Sequence, residues 1–505
     1  MTLDGRGFGD VGRGPVLGCA PFGTPLYLCI KDMKVLLINP PFSRYGGLKS
    51  QGGALIPLNL CYLAAYGRAE HPDVGFKILD AESKGLTLEE TADLTVQFSP
   101  DLIGITATTS AFDAIIELTR LLKLDTPRRP VVLGGPHPSA LPERSLRETG
   151  ADFVAVGEGE ITFSELISAV KGSRKDFSDI DGLAFRSGDG VVVRNNARRL
   201  IPDLDNLPLP ARDLVDNTLY SPPPTKRVSL GINTMISTSR GCPHRCGFCS
   251  FRTVWGRGIR VRSPQSVVAE VRECVQKYRV SSINFADEFF TSIKSRVLEI
   301  CRLMSDEGLV IPWVCSARAE RLDRETLIAM TSAGCREISF GIESGNQGVL
   351  KCMDKKLDLV EAERVVRTAQ ELGVTTHASF VLGYPGETVD TIRDTIRFAK
   401  KLNTDVAAFF IASPLPGSRL YEEAVANDYL RKDASWLDYS MISNQPPVLA
   451  VPGLPVETLR YWHRRALRSY YFRPAYVIAR LSRVRGWHDV ANLFAGLRAL
   501  LAIKK

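Results

Sequence analysis

Residues 239–250 read Ser-Arg-Gly-Cys-Pro-His-Arg-Cys-Gly-Phe-Cys-Ser, which spaces Cys242, Cys246 and Cys249 as C-x3-C-x2-C. Three thiols so close in sequence meet one metal centre only where the backbone curls around it. Gly241 and Gly247 permit that curl. Soft thiolates select an iron–sulfur cluster or zinc. Three ligands leave one iron of a cubane without a protein ligand. A zinc site completed by His244 is one rival, although zinc ribbons bring two separated ligand pairs and no second pair lies nearby. Three purely structural thiols are the other. The chain has 11 cysteines, an odd number in mostly apolar contexts, which argues against a disulfide framework and for a reducing compartment. Cys301, Cys315, Cys335 and Cys352 read as core or loop thiols.

Working outward from the cysteines, residues 233–425 alternate short apolar runs with helical periodicity. Strands are expected at 235–239, 281–286, 312–317, 336–341, 375–382 and 405–411, and helices at 264–279, 292–308, 324–333, 359–373 and 388–402. Strand–helix alternation of this kind builds a parallel sheet, here a partial (β/α)6 barrel with its site at the carboxyl ends of the strands. The cysteine stretch directly follows the first of these strands.

Residues 33–171 show a second alternating series. Strands are expected at Val35–Asn39, Phe76–Asp80, Leu102–Thr106, Val131–Gly134 and Phe153–Val156, and helices near 58–70, 87–98, 111–123, 142–149 and 160–171. Continuous apolar strands imply a doubly wound parallel sheet covered on both faces, with ligand loops at its carboxyl edge. Residues 172–232 break the rhythm with a small hairpin around Ser-Gly-Asp-Gly and then a Pro-rich stretch, read as an ordered linker. Residues 1–32 are rich in Gly and Pro without period, and are expected to be a disordered or non-native leader before Met33. Residues 426–505 are basic and aromatic, with an amphipathic helix expected at 488–503. They read as a helical packing extension over the barrel, or as an interfacial element for an apolar substrate or peripheral membrane contact.

The 505 residues are 44% hydrophobic and 24% charged, a globular composition. No apolar run reaches the roughly eighteen residues of a membrane span, and no signal peptide is visible, so a cytoplasmic protein is expected. The net charge of +8 is modest for this length and does not call for a nucleic-acid partner.

The cysteine stretch resembles the signature of the radical S-adenosylmethionine superfamily, C-x3-C-x-aromatic-C, with Phe248 as the aromatic. The resemblance implies a 4Fe-4S cluster on Cys242, Cys246 and Cys249. It also implies S-adenosylmethionine chelated at the open iron and its reductive cleavage to a 5′-deoxyadenosyl radical. An external electron donor such as flavodoxin or ferredoxin is then a partner. Phe248 would lie near the adenine. Gly341–Gly345 resembles the family's fourth-strand segment, with Glu343 toward the amino group or ribose. Ser316 and Arg318 end the third strand and would meet ribose or carboxylate. Gly383-Tyr-Pro-Gly-Glu387 resembles the family's Gly-x-Pro-Gly-Glu turn. Asp287 and Glu288 would face the substrate or cap the next helix.

Residues 33–170 resemble the cobalamin-binding domain of cobalamin-dependent radical S-adenosylmethionine enzymes. The matching pieces are Asn39–Phe42, Pro57–Leu63, Gly134-Gly-Pro-His-Pro-Ser139 and Val156-Gly-Glu-Gly-Glu160. Gly134, Gly135, Gly157, Glu158 and Gly159 would line the crevice, and the hydroxyls between Thr106 and Ser110 would meet the nucleotide tail. No Asp-x-His-x-x-Gly loop is present, so cobalamin without a protein His ligand is expected, with His137 as a tail or loop contact. No Gly-x-Gly-x-x-Gly follows the first strand, which counts against NAD. The implied activity is methylation of an unactivated sp3 carbon of a small-molecule substrate, a natural product, tetrapyrrole or lipid-like compound. The alternatives are oxidative cyclisation or rearrangement, and a cobalamin or redox sensor without catalysis.

Overall fold

A computed structural model describes residues 33–42, 53–222, 228–229, 231–440 and 446–481. The leader and the helix expected at 488–503 lie outside the described residues.

The first sheet has seven strands: β1 (Met33–Asn39), β2 (Val74–Asp80), β3 (Leu102–Thr106), β4 (Val131–Gly134), β5 (Phe153–Ala155), β6 (Leu183–Arg186) and β7 (Val192–Arg194). Their order is β2-β1-β3-β4-β5-β6-β7. The first five are mutually parallel, while β6 and β7 add antiparallel. The hairpin expected in the linker is therefore the edge of this sheet. Leu183, Ala184 and Phe185 are buried there, a gain available once β5 offers an open edge. Along β1, Val35 and Leu37 enter one core while Leu36 and Ile38 enter another, the two-faced burial of a doubly wound sheet.

The second sheet is built from β8 (Asn233–Ile236), β11 (Ser282–Phe285), β12 (Trp313–Ala317), β13 (Cys335–Glu343), β14 (Thr375–Leu382) and β15 (Val406–Ile411). Neighbours follow chain order and every pair is parallel. Helices connect these parallel neighbours in chain order, the repeat from which a partial barrel is built. Phe285, Phe290 and Trp313 pack ring against ring beneath the helices. The intervening strands β9 (Ser239–Arg240) and β10 (Arg260–Val261) pair antiparallel and frame the cysteine loop.

Two buried ionic networks join the halves. Arg240 donates to Glu158 (2.8 Å) and Glu160 (2.5 Å) of the first domain. Arg212 and Arg262 both grip Glu270, which is fully buried on the helix Pro264–Gln276.

The C-terminal region packs on both halves. The Tyr470 and Tyr471 hydroxyls donate to the carbonyls of Thr404 and Ala407, and His463 Nε2 lies 2.8 Å from the Phe409 carbonyl. Trp436 and Tyr439 enter the core of the first domain. Of the aromatics expected to offer an interfacial surface, Tyr470 is fully buried, Trp462 and Tyr471 are partly buried, and Tyr461 and Phe472 are exposed. Among the described residues no helix is long and apolar enough to cross a membrane.

Candidate functional site

The cysteine loop starts from a braced turn. Asp287 accepts from Thr238 N (2.7 Å), from the Thr238 hydroxyl and from Ser239 Oγ (2.8 Å). It is buried, which raises its pKa, and it is committed to this turn. Asp287 thus braces the loop, and it also lines the cavity that Glu288 and Ser316 share. Gly241 follows with φ +89°, and a Cβ there would lie 2.5 Å from the Gly258 carbonyl oxygen. A Cβ on Gly247 would lie 2.3 Å from Tyr384 Oη and 2.7 Å from Arg419 Nη2. Gly247 N donates to Met353 O (2.7 Å), and Leu420 N donates to Gly247 O (2.8 Å). At Gly241 only glycine fits, because φ is positive and the obstacle is backbone, whereas a side chain at Gly247 would displace the ends of Tyr384 and Arg419.

Cys242, Cys246 and Cys249 are partly exposed and free of disulfides. Burial pushes the Cys249 thiol up to about 11 and raises that of Cys242. A metal bound there would supply the charge that ionises them, with Arg318 assisting at Cys242. Among the described residues no three His, Cys, Asp or Glu side chains converge as ligands of one ion would. Burial, followed by Arg318, pushes His244 down to about 4.

Arg318 is brought to the cysteines. Its Nη1 lies 3.8 Å from Cys246 Sγ, its Nε donates to Glu320 (2.6 Å) and its Nη2 to the Lys356 carbonyl (2.9 Å). Glu343 sits at φ +70°, where the pairing of β13 with β14 shifts register, and accepts from the buried Lys355 (3.1 Å). Lys355 lay hidden in the run Lys-Cys-Met-Asp-Lys-Lys, which reads as a solvated surface. Phe248 turns its ring toward the apolar cluster of Val349, Met353, Val381, Tyr384 and Leu420. Gly383 has φ +84°, its N–H is held by Glu387, and a Cβ would lie 2.6 Å from Leu459 of the C-terminal helix. Ser316 is exposed on the wall of a cavity of about 290 Å³ shared with Met235, Phe251, Asn284, Glu288 and Ser339. Burial pushes Glu288 up to about 7.

The first domain brings its own loops to this place. Gly134 has open space where a Cβ would stand, while a Cβ on Gly135 (φ +107°) would lie 2.8 Å from the Ala107 carbonyl oxygen. Thr106 Oγ1 accepts from Asn59 (2.8 Å), a partner that sequence reading did not single out, and Ser110 is half-buried just beyond. His137 is fully buried between Phe112 and Trp436, with ring centroids 3.9 Å and 4.5 Å away, and its Nδ1 lies 3.2 Å from Thr109 Oγ1. Burial pushes His137 down to about 3, so it is a neutral brace under the glycine turn. Gly157 N donates to Ser139 Oγ (3.0 Å), and the Gly157 Cβ position lies 3.7 Å from the Val254 carbonyl oxygen, five residues beyond Cys249. Glu158 differs from its expected role. Its oxygens accept from Arg240, Arg260 and Ile201 N, which makes it a staple between domains and leaves it no acceptor for a cofactor.

Comparison with known proteins agrees with this two-part geometry. Residues 236–399 match the radical SAM superfamily model, and residues 47–167 match the B12 binding domain model. An uncharacterised methyltransferase of Pyrococcus horikoshii is 36% identical over 451 residues, covering 89% of this chain and 95% of the relative. The chain belongs to the cobalamin-dependent radical S-adenosylmethionine enzymes. The cofactors of this family are a 4Fe-4S cluster, S-adenosylmethionine and cobalamin, and the donor set suits them: three free thiols on one glycine-permitted loop, and an uncluttered glycine edge at Gly134. An anaerobic magnesium-protoporphyrin IX monomethyl ester cyclase of Rubrivivax gelatinosus is 30% identical over 398 residues, covering 77% of this chain and 70% of the relative. The fold matches the radical S-adenosylmethionine methyltransferase TsrM from Kitasatospora setae with cobalamin and 4Fe-4S cluster bound. That likeness has a TM-score of 0.69 at 19% identity and covers 94% of this chain and all of the other.

Proposed function

We propose that this enzyme methylates an sp3 carbon of a small molecule, and that it works in the cytoplasm with an external one-electron donor. The observation that carries the reading is the apposition of Gly157 and Val254, which sets the glycine crevice of the first domain against the segment leaving the cysteine loop. When bound, the cluster with S-adenosylmethionine supplies a hydrogen-abstracting radical, and cobalamin carries the methyl group.

The protein's own residues do the positioning. Cys242, Cys246 and Cys249 hold the cluster. Arg318, beside Cys246 and sharing its charge with Glu320, donates toward the carboxylate of S-adenosylmethionine, and Glu343 with Lys355 forms the polar wall on β13. Gly134, Gly135 and Gly157 let a flat macrocycle approach the backbone, with Thr106 and Ser110 toward its tail. Glu288, held near neutrality by burial, lines the cavity with Ser316 and Asn284 as the substrate-facing polar groups. The relationship to a cyclase supports a second reading, oxidative cyclisation without methyl transfer.

Anaerobically purified protein tests both. Iron, sulfide and cobalamin are quantified, and reductant with S-adenosylmethionine is added with candidate substrates. The methylation reading expects both cofactors, and both 5′-deoxyadenosine and S-adenosylhomocysteine as products. Iron without cobalt would remove it, and 5′-deoxyadenosine with product but no S-adenosylhomocysteine would favour cyclisation. Replacing any of the three cysteines with Ala is expected to abolish the cluster absorbance.

A further inference from the structure

The outer face of the cysteine loop is exposed and cationic. Pro243 and Arg245, between the first two cysteines, are both exposed. Two other segments are tied to this loop. The turn Ala319–Arg321 follows Arg318, whose guanidinium reaches Cys246, and exposes Arg321. Residues 351–356 meet the loop through the Met353 carbonyl, which accepts from Gly247, and through the Lys356 carbonyl, which accepts from Arg318. Lys351 and Lys356 are exposed there.

Their neighbours are neutralised, because Arg318 pairs with Glu320, Lys355 with Glu343 and Arg419 with Glu423. Arg245, Arg321, Lys351 and Lys356 have no carboxylate within ion-pair distance among the described residues. Asp354, half-buried between Lys351 and Lys356, acts on Arg419, and Asp358 caps the helix Leu359–Glu371, so among the described residues four exposed cations face one free carboxylate here. Four solvated cations over a redox centre make a field that steers a negatively charged protein to that spot.

We propose that Arg245, Arg321, Lys351 and Lys356 form the docking surface of an acidic one-electron carrier protein, which reduces the cluster through the Pro243–Arg245 rim. The inference rests on the cluster assignment to Cys242, Cys246 and Cys249. In the step the carrier loses one electron and the cluster gains it, with no bond made and no proton moved. A small, wet, charge-matched contact suits a carrier that must leave after each transfer.

The test uses the anaerobic, cluster-loaded enzyme with iron and sulfide quantified first. Bleaching of the cluster is timed with two donors, flavodoxin hydroquinone as the acidic carrier and photoreduced deazariboflavin as a small one. The triple variant Arg321→Glu, Lys351→Glu, Lys356→Glu is compared with the native chain between low and high salt. The expected result is a loss of tenfold or more with flavodoxin at low salt, narrowing as salt rises, with the deazariboflavin rate unchanged. Reduction of the variant by flavodoxin at the native rate would overturn the proposal. Equal slowing with both donors would also overturn it, by assigning these side chains to the cluster itself. Native protein without bound iron would overturn the cluster assignment and this docking surface with it.

Discussion

Replacing Arg240 with Met tests whether the two halves are stapled by charge. Arg240 Nη2 donates to Glu160 at 2.5 Å and Nη1 to Glu158 at 2.8 Å, and all three side chains are buried. The variant leaves Glu158 with Arg260 and Ile201 N, but it strips Glu160 of its partner. Breaking a buried pair from one side costs about 3–5 kcal/mol, because an uncompensated charge remains. Removing that charge as well, in Arg240→Met with Glu160→Gln, leaves a neutral amide short of a partner, at a cost of about 1–3 kcal/mol. The double variant is therefore expected to be more stable than the single one by about 2 kcal/mol, the opposite of additivity. Urea unfolding under anaerobic conditions, read as midpoint shifts at constant slope, measures the difference. A single variant within about 1 kcal/mol of the native chain, or a double variant less stable than the single, would refute the reasoning.

Gly135→Ala places a Cβ 2.8 Å from the Ala107 carbonyl oxygen at φ +107°, and is expected to cost about 2–4 kcal/mol and weaken cobalamin retention. Gly134→Ala, with open space around its Cβ, should cost under about 1 kcal/mol, and equal stability of the two variants would count against the turn as described. Burial pushes Glu387 up to about 7, so between its ordinary value of 4.5 and that point the native state keeps a proton the unfolded chain has lost. Its contribution is fully present below pH 4.5, falls by about 3 kcal/mol up to pH 7 and is flat above, and Glu387→Gln should remove that slope. A native-minus-variant stability difference that stays constant from pH 5 to 8 would contradict it.

What could be read in advance follows the range of the interaction. The strands β3, β4 and β14 and the helices Leu58–Glu70 and Glu160–Lys171 fall where the sequence pattern places them, because buried runs and turn residues are local signals. The cysteine triad is legible for the same reason. Glu158 and Asp287 sit beside recognisable motifs, yet their partners come from other elements, so proximity to a motif says little about the atom each carboxylate meets. Asn59 lies inside the recognisable Pro57–Leu63 stretch and Lys355 carries no local signal, but the role of each exists only after Thr106 and Glu343 have been placed beside them. The hairpin β6–β7 was legible as a hairpin but not as a sheet edge, since its acceptor strand, β5, lies almost thirty residues earlier.

The packing of Trp436 against Phe112 and His137 has a consequence for how the protein is born. The first domain borrows part of its core from a segment more than two hundred residues beyond its last strand. A ribosome delivers the chain in order, so that domain emerges with one flank bare and waits through synthesis of the whole barrel for its missing wedge. A fragment cut after β7 would inherit the sheet but not the plug.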